Sequence, residues 1–500
     1  MGNPVVAGTR RVAADPTIRL DLGTVVDNAA WIGPAVVACA LLAGFVLAHL
    51  PGTEGDTVKL VHGAHAIDWC VAHGFYPNCG IHAFFAGNEM GVGPFALFQY
   101  VPTLVLVKLV MTDHAIYDSL TIISLISFWA VLAISVRTAT RTEQRGAPAF
   151  LAVILLTSPL VYYSTRTFGE SLGSLLFVVL AVAALRRWPP APLALCALLA
   201  TITKETVFPV VALLGAVSLW ATPIGRGPLR RAHWFALASG VLLGIAVSAG
   251  FNWFRFGQLT NSDYLQSNLQ VPGLARKLDL SVGLWVAPNG GVAMFWPLAT
   301  AVVIGVLWIA IRPLWQRSTD WRRSLPAIAL VASLLVVTGT LASWYAPFGW
   351  IAWGPRLMLL TLPAVVLSAF VIYAPAFGRV VRWLFAAPGR IAFSIVAVIA
   401  VGLPQISVLH APSLVWKLFS PDATCPTLPF ISNQTYYYRC IDHYAWGRHW
   451  IPLDAVRAVG HSGRVLFAVA FAAVWAALLL SIAPRRLRLA AFQGAKSREP

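Results

Sequence analysis

Long apolar runs recur from about residue 30 almost to the end of the chain, and no other feature restricts its fold as much. The first, AWIGPAVVACALLAGFVLAHL at 30–50, contains no Asp, Glu, Lys or Arg. A helix of about twenty such residues covers the hydrocarbon thickness of a bilayer. The sequence as a whole is 58% hydrophobic and only 11% charged, with mean hydropathy +0.74, which excludes a soluble globule. The fold class expected is an all-α polytopic membrane protein. The first run starts some thirty residues in and has no small-residue cleavage site close behind it, so it is expected to stay as a span. No polar stretch is long enough for a separate soluble domain. The expected organisation is a cytoplasmic tail at 1–29, one transmembrane domain at 30–483 and a basic cytoplasmic tail at 484–500.

About twelve spans are expected, near 30–50, 120–136, 148–163, 172–185, 192–202, 207–219, 234–251, 292–311, 326–342, 357–373, 391–409 and 465–482. Between the first two, an amphipathic helix is expected near 57–73. The apolar stretch 91–110 is interrupted by Pro94 and Pro102, and it reads as a helix on or dipping into the membrane interface. Counting it as a span would put Arg137, Arg141 and Arg145 outside. With this arrangement the inner segments carry 23 of the 36 lysines and arginines and six of the 19 acids. That is the asymmetry of the positive-inside rule, with both termini cytoplasmic. The net charge of +17 is spread over many short loops, which favours orientation and anionic lipid over nucleic acid as its purpose.

The outer loops are then 51–118, 252–291 and 410–464. Two same-loop cysteine pairs lie on this oxidising face, so disulfides are expected between Cys70 and Cys79 and between Cys425 and Cys440. The polar residues that suggest chemistry gather here too. Glu54 and Asp56 stand two positions apart where the first span leaves the bilayer, and acids that close raise each other's pKa unless compensated. Asp56 capping a helix at Thr57, with Lys59 as partner, is the structural alternative. The segment TSPLVYYSTRTFGESLG brings Arg166 and Glu170, and the next turn brings Lys204 and Glu205, which could also simply neutralise each other. Arg255 follows the 234–251 span. Arg356 is a lone cation in SWYAPFGWIAWGPRLM, and arginine offers a fork of donors suited to phosphate.

PGTEGD after the first span, FGESLG, the lysine at 204, VAPNGG before 292 and WGPRLMLLTLP, in that order, resemble the C-type (GT-C) superfamily of polytopic membrane glycosyltransferases. The chain is most similar to the bacterial branch related to protein mannosyltransferases and the aminoarabinose transferase, over about 50–363. The resemblance implies an inverting transfer of a sugar from a polyprenyl-phosphate donor to a lipid, glycan or protein acceptor on the outer face of the cytoplasmic membrane. It implies Asp56, with Glu54 beside it, as catalytic base, and Glu170 as an acceptor or metal contact. Arg356, Lys204 and Arg255 are the expected donor phosphate ligands. The first motif here reads Glu-Gly-Asp where many relatives have adjacent acids. A possible divalent metal would sit on Glu54, Asp56 and Glu170; His62, His65 and Asp68 are a second, weaker set. The competing class is a transporter or flippase of a lipid-linked intermediate.

Overall fold

In a computed structural model, the residues described are 55–109 apart from 75, 78 and 80–94; 112–221 apart from 143, 145 and 168; 229–261; 271–316 apart from 272; 322; 324–344; 347–349; 353–384; 388–410; 446; 450–456; and 460, 465, 469 and 472. All of them belong to the unit Leu50–Pro500. The expected spans at 30–50 and 465–482 and the pair Cys425 and Cys440 lie outside this set, apart from three isolated positions in the last span.

The described chain is helical. Its helices are α1 (Gly55–Ala72), α2 (Leu97–Leu109), α3 (Asp113–Ala139), α4 (Ala147–Leu156), the single turn α5 (Leu160–Tyr163), α6 (Glu170–Leu185), α7 (Pro190–Thr201) and α8 (Phe208–Trp220). Then come α9 (Arg231–Phe256), α10 (Leu274–Val286), α11 (Val292–Phe295), α12 (Pro297–Gln316), α13 (Leu325–Ala342), α14 (Leu362–Ile372), α15 (Ala374–Leu384), α16 (Pro388–His410) and α17 (Ile451–Ala455). Three of these, α3, α9 and α13, are each long and apolar enough to cross a membrane alone, while α2, α4, α6, α7, α8, α12 and most of α16 are apolar but shorter. The count of twelve spans stays an expectation of the sequence.

The centre of the bundle is α6, which packs against α3, α7, α8, α14 and the 3-10 turn Arg356–Leu360. It is buried almost all round, as is α14 from Leu362 to Val371. A helix apolar on every side has no solvent face to keep and belongs in such a position. The outer helices keep large apolar side chains outward, among them Phe235 and Leu242 on α9 and Leu335 on α13. Hydrocarbon, not water, is the medium those faces suit.

Two expected spans are broken for a local reason. The span expected at 148–163 stops at Leu156, because Pro159 has no N–H to continue the ladder. Thr157 and Ser158 turn their hydroxyls back to the carbonyls of Val153 and Leu155 at 2.9 and 2.5 Å, and the Trp296 indole N–H donates to the Ile154 carbonyl at 2.6 Å. Likewise Pro297 separates α11 from α12 within the span expected at 292–311.

Glycine sets the tightest helix contact, α7 on α9. A methyl group on Gly240 would collide with the Ala194 carbonyl oxygen and lie 2.8 Å from Ala197 Cβ, and one on Gly244 would lie 2.6 Å from Thr201 Cβ. Small residues let two backbones approach where lipid supplies no hydrophobic drive between helices. Gly240→Val is therefore expected to cost about 1–3 kcal/mol by overpacking. A lowered thermal midpoint of the purified protein in detergent, with Gly305→Val at an open position left unchanged, is the measurement that checks it.

Candidate functional site

The site is built around Glu170 and Arg356, which come from positions 186 residues apart. Glu170 opens α6 directly after Gly169, whose φ of +89° makes the sharp entry into the helix. An acid in the first turn also suits the positive end of the helix dipole. Arg356 opens the 3-10 turn Arg356–Leu360. The Arg356 Nε donates to Glu170 Oε1 in a buried ion pair, the two residues being 9% and 4% exposed. The second carboxylate oxygen, Oε2, is buried with no hydrogen-bond partner among the described residues. Buried charges persist only when paired, so this pair fixes α6 to the segment after α13. Oε2 remains as an acceptor with no donor among the described residues.

The segment on either side of Arg356 is held by polar contacts that the sequence did not disclose. The Trp353 indole N–H donates to Gln405 Oε1 at 2.7 Å, and Gln405 Nε2 donates to the Phe295 carbonyl at 3.0 Å. The Tyr163 hydroxyl donates to the Trp353 carbonyl at 3.1 Å, and the Phe295 and Trp353 rings meet edge to face at 4.9 Å. Ser174 on α6 donates to the Leu359 carbonyl. The only sequence signal for Gln405 was a single amide inside an apolar run after Pro404. Gln405→Leu leaves the Trp353 N–H and the Phe295 carbonyl without partners, each worth about 1–3 kcal/mol when buried. The expected result is a loss of about 2–6 kcal/mol in chemical denaturation, with a smaller loss for Gln405→Glu, which still accepts from the Trp353 N–H.

The first-loop motif reaches the same place. Thr57, at the start of α1, and Thr167, three positions before Glu170, share a hydroxyl–hydroxyl hydrogen bond. Asp56 therefore occupies a helical backbone position at the Glu170 end. Glu54 and the side chain of Asp56 lie outside the described residues, and the capping alternative lies there with them. A methyl on Gly169 would also meet Gln99 Cγ at 3.1 Å, which places the start of α2 against the same loop. Arg166, buried in that loop, stacks over the Tyr162 ring at 4.7 Å.

Of the other expected cations, Lys204 lies between α7 and α8, half-buried, with Nζ 5.2 Å from the Trp344 ring. Trp344 begins the segment that leads to Arg356. The Glu205 side chain lies outside the described residues. Arg255 belongs to α9. Fully buried near the end of α9, it donates to the Phe95 carbonyl at 2.7 Å and to Asn252, and its guanidinium lies over the Phe251 and Phe256 rings at 4.4 and 4.7 Å. These contacts join α9 to the chain leading into α2.

The first loop is folded as a compact piece. Helix α1 corresponds to the amphipathic helix expected at 57–73, and it packs on α2 through Gly63, where a methyl would lie 2.8 Å from the Tyr100 hydroxyl. Cys70 and Cys79 form the expected disulfide, with Cα atoms 5.9 Å apart. His65 Nε2 lies 3.2 Å from Asp113 Oδ1, and Asp68 pairs with Lys108, so these two members of the second metal set turn to neighbours on α3 and α2. Among the described residues no three His, Cys, Asp or Glu side chains converge to hold a metal ion. Of the first metal set only the Glu170 side chain is described, and a cation is its partner.

No protein-family model matches the sequence, and no curated protein matches it. Among solved structures, the crystal structure of ArnT from Cupriavidus metallidurans in the apo state is similar over 88% of this chain and 77% of that one, with 16% sequence identity and a TM-score of 0.43. No residue role is carried over from it.

The loop expected at 252–291 holds a helix that the sequence reading missed. Leu274, Leu278, Val282 and Val286 of α10 form an outward apolar row at i, i+4 spacing, while Leu280 and Leu284 are buried on the other side, where the helix meets α13. The turn at 288–291 then seats two distant segments. Gly290 lies directly against Phe348, and Asn289 Oδ1 accepts the Ile451 N–H at 2.8 Å.

Proposed function

We propose that this protein is an inverting membrane glycosyltransferase of the C-type organisation. It moves a sugar from a polyprenyl-phosphate donor to a lipid, glycan or protein acceptor at the Glu170 end of the bundle, which is the outer face by the charge distribution. The observation that carries the reading is the buried Glu170–Arg356 pair, gathered at the same end as the Asp56 backbone by the Thr57–Thr167 contact.

The chemistry divides between an acid and cations. The Asp56 carboxylate takes the proton of the acceptor hydroxyl as its oxygen attacks the anomeric carbon. The bond from that carbon to the phosphate oxygen breaks on the opposite face, so the configuration inverts. The electron pair leaves on the phosphate, where Arg356 and Lys204 stabilise the growing charge, a term that usually dominates such steps. Glu170 holds Arg356 in place and offers Oε2 to an acceptor hydroxyl. If the donor set includes a divalent ion, Glu54, Asp56 and Glu170 would hold it and it would further neutralise the leaving phosphate. Arg255, committed to backbone and rings, supports the fold in this scheme.

Vesicles containing the purified protein, labelled polyprenyl-phosphate sugars and cell-envelope acceptors test the proposal. Transfer with inversion is expected. Protein-dependent movement of the labelled lipid across the vesicle, without transfer, would replace this reading with the flippase.

A further inference from the structure

Helix α15 is bent by 88° from α14. The 3-10 turn Arg356–Leu360 and α14 together rise roughly 26 Å, close to the thickness of a hydrocarbon core. A helix turned at a right angle after such a rise is placed to lie along a membrane surface at the end opposite Glu170. Its sequence, APAFGRVVRWL, divides cleanly into two faces. Ala374, Gly378 and Val381 are buried, and Gly378 lies against Gln144 while Val381 lies against Gly146, in the turn that follows α3. Phe377 stacks on Phe370 at 4.9 Å. The other face carries Arg379, Val380 and Trp383, all exposed, the last two at 48% and 56%.

Cations surround that outward face. Arg390, at the start of α16, folds back so that its guanidinium lies 4.7 Å from the Trp383 ring and Nη1 donates to the Trp383 carbonyl at 3.2 Å. The turn under α15 follows Arg137 and Arg141, and Arg186 reaches the same place, donating to Thr138 Oγ1 at 3.0 Å. Partial burial, then the like charges of Arg141 and Arg137, lower the Arg186 pKa. Among the described residues no carboxylate pairs with Arg137, Arg141, Arg186, Arg379 or Arg390.

We propose that α15 and the arginines beside it form a docking surface for anionic phospholipid headgroups of the leaflet at that end. Val380 and Trp383 enter the boundary between headgroups and acyl chains while Arg379, Arg390 and the 137–141 turn meet the phosphates. An amphipathic helix with an interfacial tryptophan and flanking cations suits that boundary. Like-charged guanidinium groups with no carboxylate partner among the described residues call for a counter-anion, and the phosphate of a lipid supplies it in the geometry arginine favours. The surface lies at the far end of the bundle from Glu170 and does not depend on the transfer chemistry.

The test uses the full-length protein in detergent with equal amounts of phosphatidylglycerol and phosphatidylcholine, the retained lipids being counted by native mass spectrometry. Retention of phosphatidylglycerol in excess is expected. Arg379→Gln with Arg390→Gln should lower that preference roughly fivefold per arginine, about twenty-five-fold together. Arg276→Gln with Lys277→Gln, at the other end, should leave it unchanged. Separately, a fluorophore on Val380→Cys, compared with the unsubstituted protein labelled in parallel, should be quenched more by headgroup-proximal than by deep nitroxide lipids. Equal retention of the two lipids, the same loss from the control pair, or a Val380 probe that no lipid quenches would overturn the proposal. These readouts contain no donor or acceptor, so their failure is distinct from a failure of the proposed transfer.

Discussion

Glu170→Ala is expected to cost about 3–5 kcal/mol of stability, the penalty for leaving the other member of a buried ion pair without its partner. Arg356, only 9% exposed, would keep its charge in the middle of helix contacts, because an arginine does not shed its proton. Arg356→Met should cost less, since a glutamate left alone can take up a proton and become neutral. The double variant Glu170→Leu with Arg356→Met removes both charges and replaces them with apolar groups of similar reach. Its stability should return close to that of the wild type, while transfer remains absent. Chemical denaturation of the four proteins in one detergent gives the comparison. A double variant no more stable than Glu170→Ala would mean that the two charges are not coupled in the folded state.

The placement of this pair follows from features of different legibility. That α6 is a helix was plain from its apolar run, and its observed start at Glu170 lies two positions from the expected one. That Glu170 meets Arg356 was not, since nothing local links positions 186 residues apart. The sequence placed both residues on one face by counting charges across loops. Contact between them depends on the packing of α6 against the 3-10 turn, and that packing rests on Gly173, where a methyl would collide with Leu360. A glycine read in sequence announces no partner.

Helix positions were read well, and helix ends and interruptions less so: the span expected at 120–136 is the helix Asp113–Ala139. Hydropathy averages over a window and carries straight through Pro159 and Pro297, although each proline removes one donor and breaks the ladder there. The helix α10 was missed for a related reason. Its apolar row points outward and its buried row is short, so with Arg276, Lys277 and Asp279 among them the residues read as a polar loop. The disulfide between Cys70 and Cys79 was legible because the two cysteines stand nine positions apart and both lie on the same loop. The contacts of Arg255 were not legible in sequence: a cation after a span suggests a phosphate ligand, and nothing local announces the Phe95 carbonyl, Asn252 and two aromatic rings that engage it here.

On the proposed chemistry, Asp56→Asn should reduce transfer by 10²–10⁴-fold, the usual contribution of a positioned general base. The amide keeps the size of the side chain and removes its ability to accept a proton, so the helix that begins at Gly55 should remain folded. Most of the effect should appear in kcat, with the donor KM nearly unchanged, because the proton moves only in the transition state. Lys204→Gln should divide differently. A cation that meets the donor phosphate before and during its departure contributes to binding as well as to the step, so both KM and kcat should change. Glu54→Gln separates the two acids of the motif. If Glu54→Gln abolishes transfer while Asp56→Asn retains it, the base is Glu54, and not the residue adjoining the Thr57–Thr167 contact. If neither change reduces kcat, the proton goes elsewhere, and Glu170 Oε2, buried and without a hydrogen-bond donor among the described residues, is the next candidate at this end of the bundle.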